Sequence, residues 1–203
     1  MKLFYVPGAC SLASHIMLHE VGETFEIEKV DTVVGKTETG LDYSNINPNG
    51  YVPSLAINGE EYLAEGVAIL QYIADTHPDR AFSPKVGTIE RARLQQFLNF
   101  ASAELHKAWG PLFSANSTKE QLDAARANVS SKLAYLESVL ADEREYLVAD
   151  QFSVADAYTF VLANWANFKA IELSAWPYLA DYVTRLAARP SIQEAMRAEG
   201  LIQ

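Results

Sequence analysis

At 203 residues and 22.4 kDa the chain is long enough to bury one large core or two small ones without staples, and its 49% hydrophobic and 21% charged residues exclude a disordered, collagenous or low-complexity polymer. Sixteen basic against 26 acidic residues leave a net charge of −10, which repels nucleic-acid backbones and anionic membrane surfaces. No run approaches the roughly 20 apolar residues of a bilayer span. A single cysteine excludes an intrachain disulfide framework, and we expect a cytoplasmic protein with no signal peptide.

Residues 2–6 read as a strand that Pro7-Gly8 stops, and the helix after it, over residues 10–20, should end at Gly22. Phe25-Glu26-Ile27-Glu28-Lys29-Val30 alternates apolar and charged side chains, the mark of a strand with one solvated face. The two strands and the helix make a βαβ unit whose crossover should be right-handed. Between residues 31 and 50 Gly, Asn and Pro break every period, which predicts a loop with a short helix. Residues 52–57 and 60–64 then form a hairpin, with Asn58-Gly59 supplying the positive φ angles of a type I′ turn. Glu65-Gly66 opens a helix over residues 67–74, completing the order β-α-β-α-β-β-α.

We assign residues 1–78 to this α/β domain, 79–87 to a linker and 88–203 to an all-helical domain. Leu94, Leu98, Ala101, Leu105 and Trp109 stripe one long helix, and Thr118-Lys119-Glu120-Gln121 starts the next with a capping box. Ser153-Val154-Ala155-Asp156 opens a third helix with Asp as the reciprocal acceptor. Two more begin at Trp176-Pro177 and Arg189-Pro190-Ser191.

Cys10 lies where the strand-to-helix turn would present it to the amides and positive end of the first helix, a setting that favours thiolate; the bland alternative is an inert buried thiol. Proline after Val52 belongs at a strand start or an irregular position, so the Val52 backbone is a candidate for pairing with a ligand, against a plain trans edge-strand proline. Glu65 and the Gly66 amide suit the two halves of an amino-acid head group, unless they are only an acidic first turn. At 100° per residue Asn99, Ser102 and His106 share a polar strip beside the apolar stripe, where a hydrogen-bonded packing histidine competes with a catalytic one. Lys107 could attract an anion or be simply solvated. Tyr5 and Ser11 flank Cys10 as further hydrogen-bonding groups. His15 and His19 have the spacing of two metal ligands, with no third in sight, so we expect no metal.

The ordered motifs Phe4-Tyr5-Val6-Pro7-Gly8-Ala9-Cys10-Ser11, Asn47-Pro48-Asn49-Gly50-Tyr51-Val52-Pro53, Glu65-Gly66-Val67-Ala68-Ile69-Leu70-Gln71-Tyr72 and Glu104-Leu105-His106-Lys107 resemble the bacterial beta class of glutathione transferases, as does the Ser153 to Tyr158 box. The resemblance spans essentially the whole chain. It implies a thioredoxin-like domain that binds glutathione, an all-α helical-bundle domain with a hydrophobic-substrate pocket, and a homodimer. By the same resemblance Cys10 and His106 are catalytic, with Pro53 cis. Cys10, Lys36, Tyr51, Val52, Pro53, Glu65, Gly66, Asn99, Ala103, His106 and Lys107 would hold glutathione. Members often carry lysine where this chain has Gly35, and Lys36 is the adjacent candidate.

The activity so implied is conjugation of glutathione to small hydrophobic electrophiles, with thiol transfer or peroxide reduction through Cys10 as variants. A non-catalytic binding or regulatory protein on the same scaffold and a glutathione-dependent dehalogenase share these motifs.

Overall fold

A computed structural model describes residues 1–59 and 61–203. The strands β1 (Lys2–Tyr5), β2 (Glu26–Asp31), β3 (Lys36–Thr37), β4 (Ser54–Ala56) and β5 (Tyr62–Ala64) form one sheet in the order β3-β2-β1-β4-β5. β1 and β2 are parallel and joined by α1 (Leu12–Val21), while the remaining neighbours are antiparallel. This is the expected βαβ unit with a hairpin after it.

Alternation of side chains along the strands builds two layers on this sheet. Leu3 and Leu55 are fully buried, as are Ile16 and Met17 of α1 and Ile69 and Ile73 of α2 (Gly66–Asp75), which packs against α1. On the other side Phe4, Val30 and Ala56 cluster with Tyr43 and Ile46, carried there by a 3₁₀ turn over Tyr43–Asn45. α1 ends as its sequence dictates: Gly22 adopts φ 74° and its N–H bonds the His19 carbonyl.

The helical elements after residue 84 also obey their caps. α3 (Ile89–Asn99) begins at Thr88, whose hydroxyl accepts from the Arg91 amide; it continues through a π-helical segment, Phe100–Leu105, into α4 (His106–Phe113). α5 (Lys119–Leu140) opens with the Thr118/Gln121 capping box. α6 (Val154–Phe168) is buried at every position from Val154 to Ala166 and forms the centre of the bundle, with α7 (Pro177–Ala187) beside it. Asp156 closes the second capping box, accepting from the Ser153 amide (2.9 Å) and hydroxyl (2.6 Å). The same fully buried carboxylate accepts from the Leu147 amide and the Tyr182 hydroxyl, both at 2.8 Å.

Four features depart from the sequence reading. The region 31–50 contains the short strand β3, paired to β2 through Val30 opposite Thr37 and Asp31 opposite Lys36. In the hairpin Ala56 faces Tyr62 and the Ile57 amide bonds the Glu61 carbonyl, a connection one residue longer than a type I′ turn allows. Gly59 has φ 87° while Asn58 keeps an ordinary φ, and Glu60, expected in the second strand, lies outside the described residues. The expected linker contains a 3₁₀ turn, Pro78–Arg80.

The fourth difference is the division of the chain. One compact unit comprises residues 1–83 together with 188–203, and the other residues 84–187. The last helix, α8 (Pro190–Ala198), joins the first unit because its polar groups find their partners on α1. The Arg189 guanidinium grips the Glu20 carboxylate with two bonds of 2.8 and 2.9 Å, and Ser191 donates to the same group. No described helix is long and apolar enough to cross a membrane.

Candidate active site

In the first unit, the turn after β1 is tied by the Ala9 amide to the Val6 carbonyl and by the Leu12 amide to the Ala9 carbonyl. The fully buried Ser11 completes it: its hydroxyl accepts from the Val6 amide (3.3 Å) and lies 3.2 Å from the Val6 carbonyl. Ser11 is thus occupied with the turn. Tyr5 is buried, its ring 6.2 Å from that of His15.

Cys10 is half-buried and its S–H donates to the Val52 carbonyl at 3.3 Å. Its thiol is pushed up to about 11, a correction to the thiolate expected at this turn. Desolvation of the sulfur is the largest cause; the Cys10 and Ser11 amides pull the other way and lose, and the Glu65 carboxylate adds to the rise. Cys10 is therefore a neutral donor at pH 7.

The Val52-Pro53 bond is cis. The bend before it hangs on Tyr51, whose carbonyl accepts from the Asn47 side-chain amide and the Tyr43 hydroxyl, both at 2.8 Å, while Asn47 Oδ1 accepts from the Asn49 amide. The Val52 amide has no partner among the described residues. Cys10 thus takes one Val52 backbone group and leaves the other open. Glu65 is exposed, holds φ 69° and ψ 111°, and makes no capping bond with its side chain. A non-glycine residue in that conformation is strained, and strain kept at an exposed carboxylate points to use of the side chain. A Cβ on Gly66 would touch the Pro53 ring at 3.7 Å, so the cis proline abuts the start of α2. Cys10, Val52, Pro53, Glu65 and Gly66 therefore meet at one end of the sheet.

Lys36 does not join them. It sits on β3, opposite Asp31 and bridged to Asp42, and two strands separate β3 from β4, three spacings of about 4.8 Å.

In the helical unit His106 is half-buried, and burial holds its imidazole below the ordinary histidine range, which keeps it neutral at pH 7. Its Nδ1 lies 2.9 Å from the Tyr158 hydroxyl, and the Trp165 ring stands edge-on at 5.1 Å. The exposed Asn99 folds back to donate to the Gln95 carbonyl at 2.8 Å, and Ala103 and Lys107 are exposed. A π-helical segment, Phe100–Leu105, lies between Asn99 and His106.

Four supporting residues were missed. Tyr43 and Asn47 hold the bend, and the Asn-Pro-Asn-Gly run was a readable signal for Asn47. Tyr158 on His106 had none, since nothing in the sequence joins positions 52 residues apart. Nor had Glu199, whose carboxylate accepts from the Gly8 amide (2.8 Å) and meets His15 Nδ1 (2.9 Å). His15 and His19, the spaced pair, each face a carboxylate of the C-terminal segment, Glu199 and Glu194.

A five-stranded sheet with a cis proline beside a βα-turn cysteine, and an all-helical unit, define the glutathione S-transferase fold. Residues 1–75 match the family description "Glutathione S-transferase, N-terminal domain" and residues 100–190 "Glutathione S-transferase, C-terminal domain". The chain belongs to the glutathione S-transferase family. It is 42% identical over 201 residues to glutathione S-transferase GstA of Escherichia coli O157:H7, covering 99% of this chain and all of the relative. Among solved structures it is similar to the bacterial beta-class enzyme of Sphingomonas chungbukensis, with 47% identity, a TM-score of 0.96 and full coverage of both chains. A sphingomonad glutathione S-transferase complexed with glutathione has 44% identity, a TM-score of 0.95 and full coverage of both chains. The protein is a glutathione transferase, and glutathione is its co-substrate.

Proposed function

We propose that the protein conjugates the glutathione thiolate to small hydrophobic electrophiles and works as a homodimer. The open Val52 amide beside the Cys10 thiol is the observation that carries the site assignment: it is a backbone donor at the point where a peptide-like ligand needs one. Glutathione would lay its cysteinyl backbone along Val52 and place its γ-glutamyl ammonium on Glu65 and its carboxylate on the Gly66 amide. Tyr51 and Pro53 shape the bend, and Asn99, Ala103, His106 and Lys107 are the proposed contributions of the helical unit. Lys36 has the weakest support, given its edge strand.

The attacking atom belongs to glutathione. A neutral Cys10 donates a hydrogen bond to the glutathione sulfur and favours its thiolate, the nucleophilic form. Trp109, Trp165 and Phe113 stack edge to face, with the Lys169 ammonium 4.0 Å over the Phe113 ring, and supply an aromatic wall in the helical unit. Thiol transfer through a Cys10–glutathione disulfide is the variant activity.

Glutathione-affinity capture of wild type and Cys10→Ala, with intact mass after incubation with oxidised glutathione, tests this reading. Capture of both proteins, an adduct on wild type alone, and turnover of a chlorodinitrobenzene are expected. Failure of both proteins to bind would overturn it. Light scattering on the eluted protein checks the dimer.

A further inference from the structure

We infer that Tyr158 is a positioning residue for the transfer reaction: its hydroxyl, 2.9 Å from His106 Nδ1, holds the imidazole as the tautomer protonated on Nε2, so that His106 presents a neutral N–H donor to the glutathione sulfur. The consequence for catalysis rests on the proposal that His106 serves glutathione.

A neutral imidazole has one N–H donor and one bare nitrogen acceptor, and the partner of one nitrogen decides which is which. Facing Nδ1 is a phenol, whose O–H, with a pKa of about 10, is a good donor and whose oxygen is a poor acceptor. The favoured sense is O–H to Nδ1, which leaves the proton on Nε2. Tyr158 is 4% exposed on the buried helix α6. The imidazole is equally confined. It meets the Tyr158 ring at 90° and 6.2 Å and the Trp165 ring at 69° and 5.1 Å, two aromatics seven residues apart on one face of α6. Nε2 takes no partner among the described residues and is the nitrogen left for a ligand. A thiolate is held by donors, so a bare Nε2 would oppose it while an Nε2–H stabilises it.

The test reads the tautomer directly. Multiple-bond proton–nitrogen correlation spectra of ¹⁵N-labelled protein without ligand should show His106 protonated on Nε2 in wild type, and Tyr158→Phe should admit the Nδ1-protonated form. Wild type protonated on Nδ1, or Tyr158→Phe with an unchanged tautomer, would overturn the inference. In turnover Tyr158→Phe should lose about fivefold in kcat/KM, the worth of one ordinary hydrogen bond, with an unchanged far-UV spectrum. Because Tyr158 acts through His106, adding Tyr158→Phe to His106→Ala should cost nothing further; losses that multiply would refute the coupling. A wild-type rate in His106→Ala would remove the role of His106, and with it the catalytic consequence, while the spectra still decide the tautomer.

Discussion

Replacing Glu199 by alanine removes the carboxylate that joins α8 to the Cys10 turn. Its Oε2 accepts from the Gly8 amide at 2.8 Å and its Oε1 from His15 Nδ1 at 2.9 Å, and neither the His15 nor the Glu199 side chain is more than 1% exposed. The substitution strands a buried imidazole N–H and a backbone amide, each costing about 1–3 kcal/mol, so a loss of about 4 kcal/mol is expected. For a chain of this size that is a fall in Tm of about 8–16 °C. Glu199→Gln should lose much less, because the amide can still accept from Gly8 and donate to His15 in its other tautomer. Urea melts should be monitored by two probes. Trp109, Trp165 and Trp176 all lie within residues 84–187, so fluorescence reports the helical unit, whereas far-UV ellipticity reports both. The ellipticity midpoint should move at least as far as the fluorescence midpoint. An unfolding free energy from the Glu199→Ala ellipticity melt within about 0.5 kcal/mol of wild type would refute the account of the carboxylate as a buried tie.

The Cys10 thiol, pushed up to about 11, should alkylate slowly at neutral pH, with an iodoacetamide rate that climbs through pH 9 and inflects near 11; an inflection near pH 7 would contradict the burial argument. Glu65→Gly should relieve a strained backbone and raise stability by about 1 kcal/mol in a urea melt while weakening glutathione binding in calorimetry, and matched signs would be wrong. A Cβ at Gly8 would lie at φ 71° and 3.3 Å from the Leu201 side chain, so Gly8→Ala should cost about 1–2 kcal/mol, whereas Gly66→Ala, in ordinary contact with Pro53, should change stability by less than about 1 kcal/mol. Asp156→Ala leaves the Leu147 amide and Tyr182 hydroxyl unpaired in the core, and a thermal melt should register a loss of about 3–5 kcal/mol.

The features legible in the sequence were matters of local chemistry. The Gly22 stop, the Thr118 and Ser153 capping boxes and the hairpin around Gly59 each depend on a few adjacent residues, and each formed. The type of hairpin turn was missed because Asn-Gly serves both a two-residue turn and a longer one with Gly in the left-handed region. β3 was missed because its two residues sit in a loop rich in glycine, where no period can show. The π segment was invisible for a related reason: the apolar stripe through Leu98, Ala101 and Leu105 fits an uninterrupted α-helix equally well. At the site, Val52-Pro53 and Glu65-Gly66 stood out by unusual residue types at element ends. The state of the Cys10 thiol did not emerge from its position, since the helix terminus is a local effect and the desolvation that outweighs it comes from the assembled fold.

The pairing of α8 with α1 also sets an order of events during synthesis. About 100 residues separate Ser83 from Ala188, and at 5–20 residues per second they take roughly 5–20 s to emerge. Throughout that interval the Gly8 amide, His15 and Glu20 have been made but their partners have not. The helical unit has its own core and caps and can complete itself first, an insertion that folds inside a unit still waiting for its last helix.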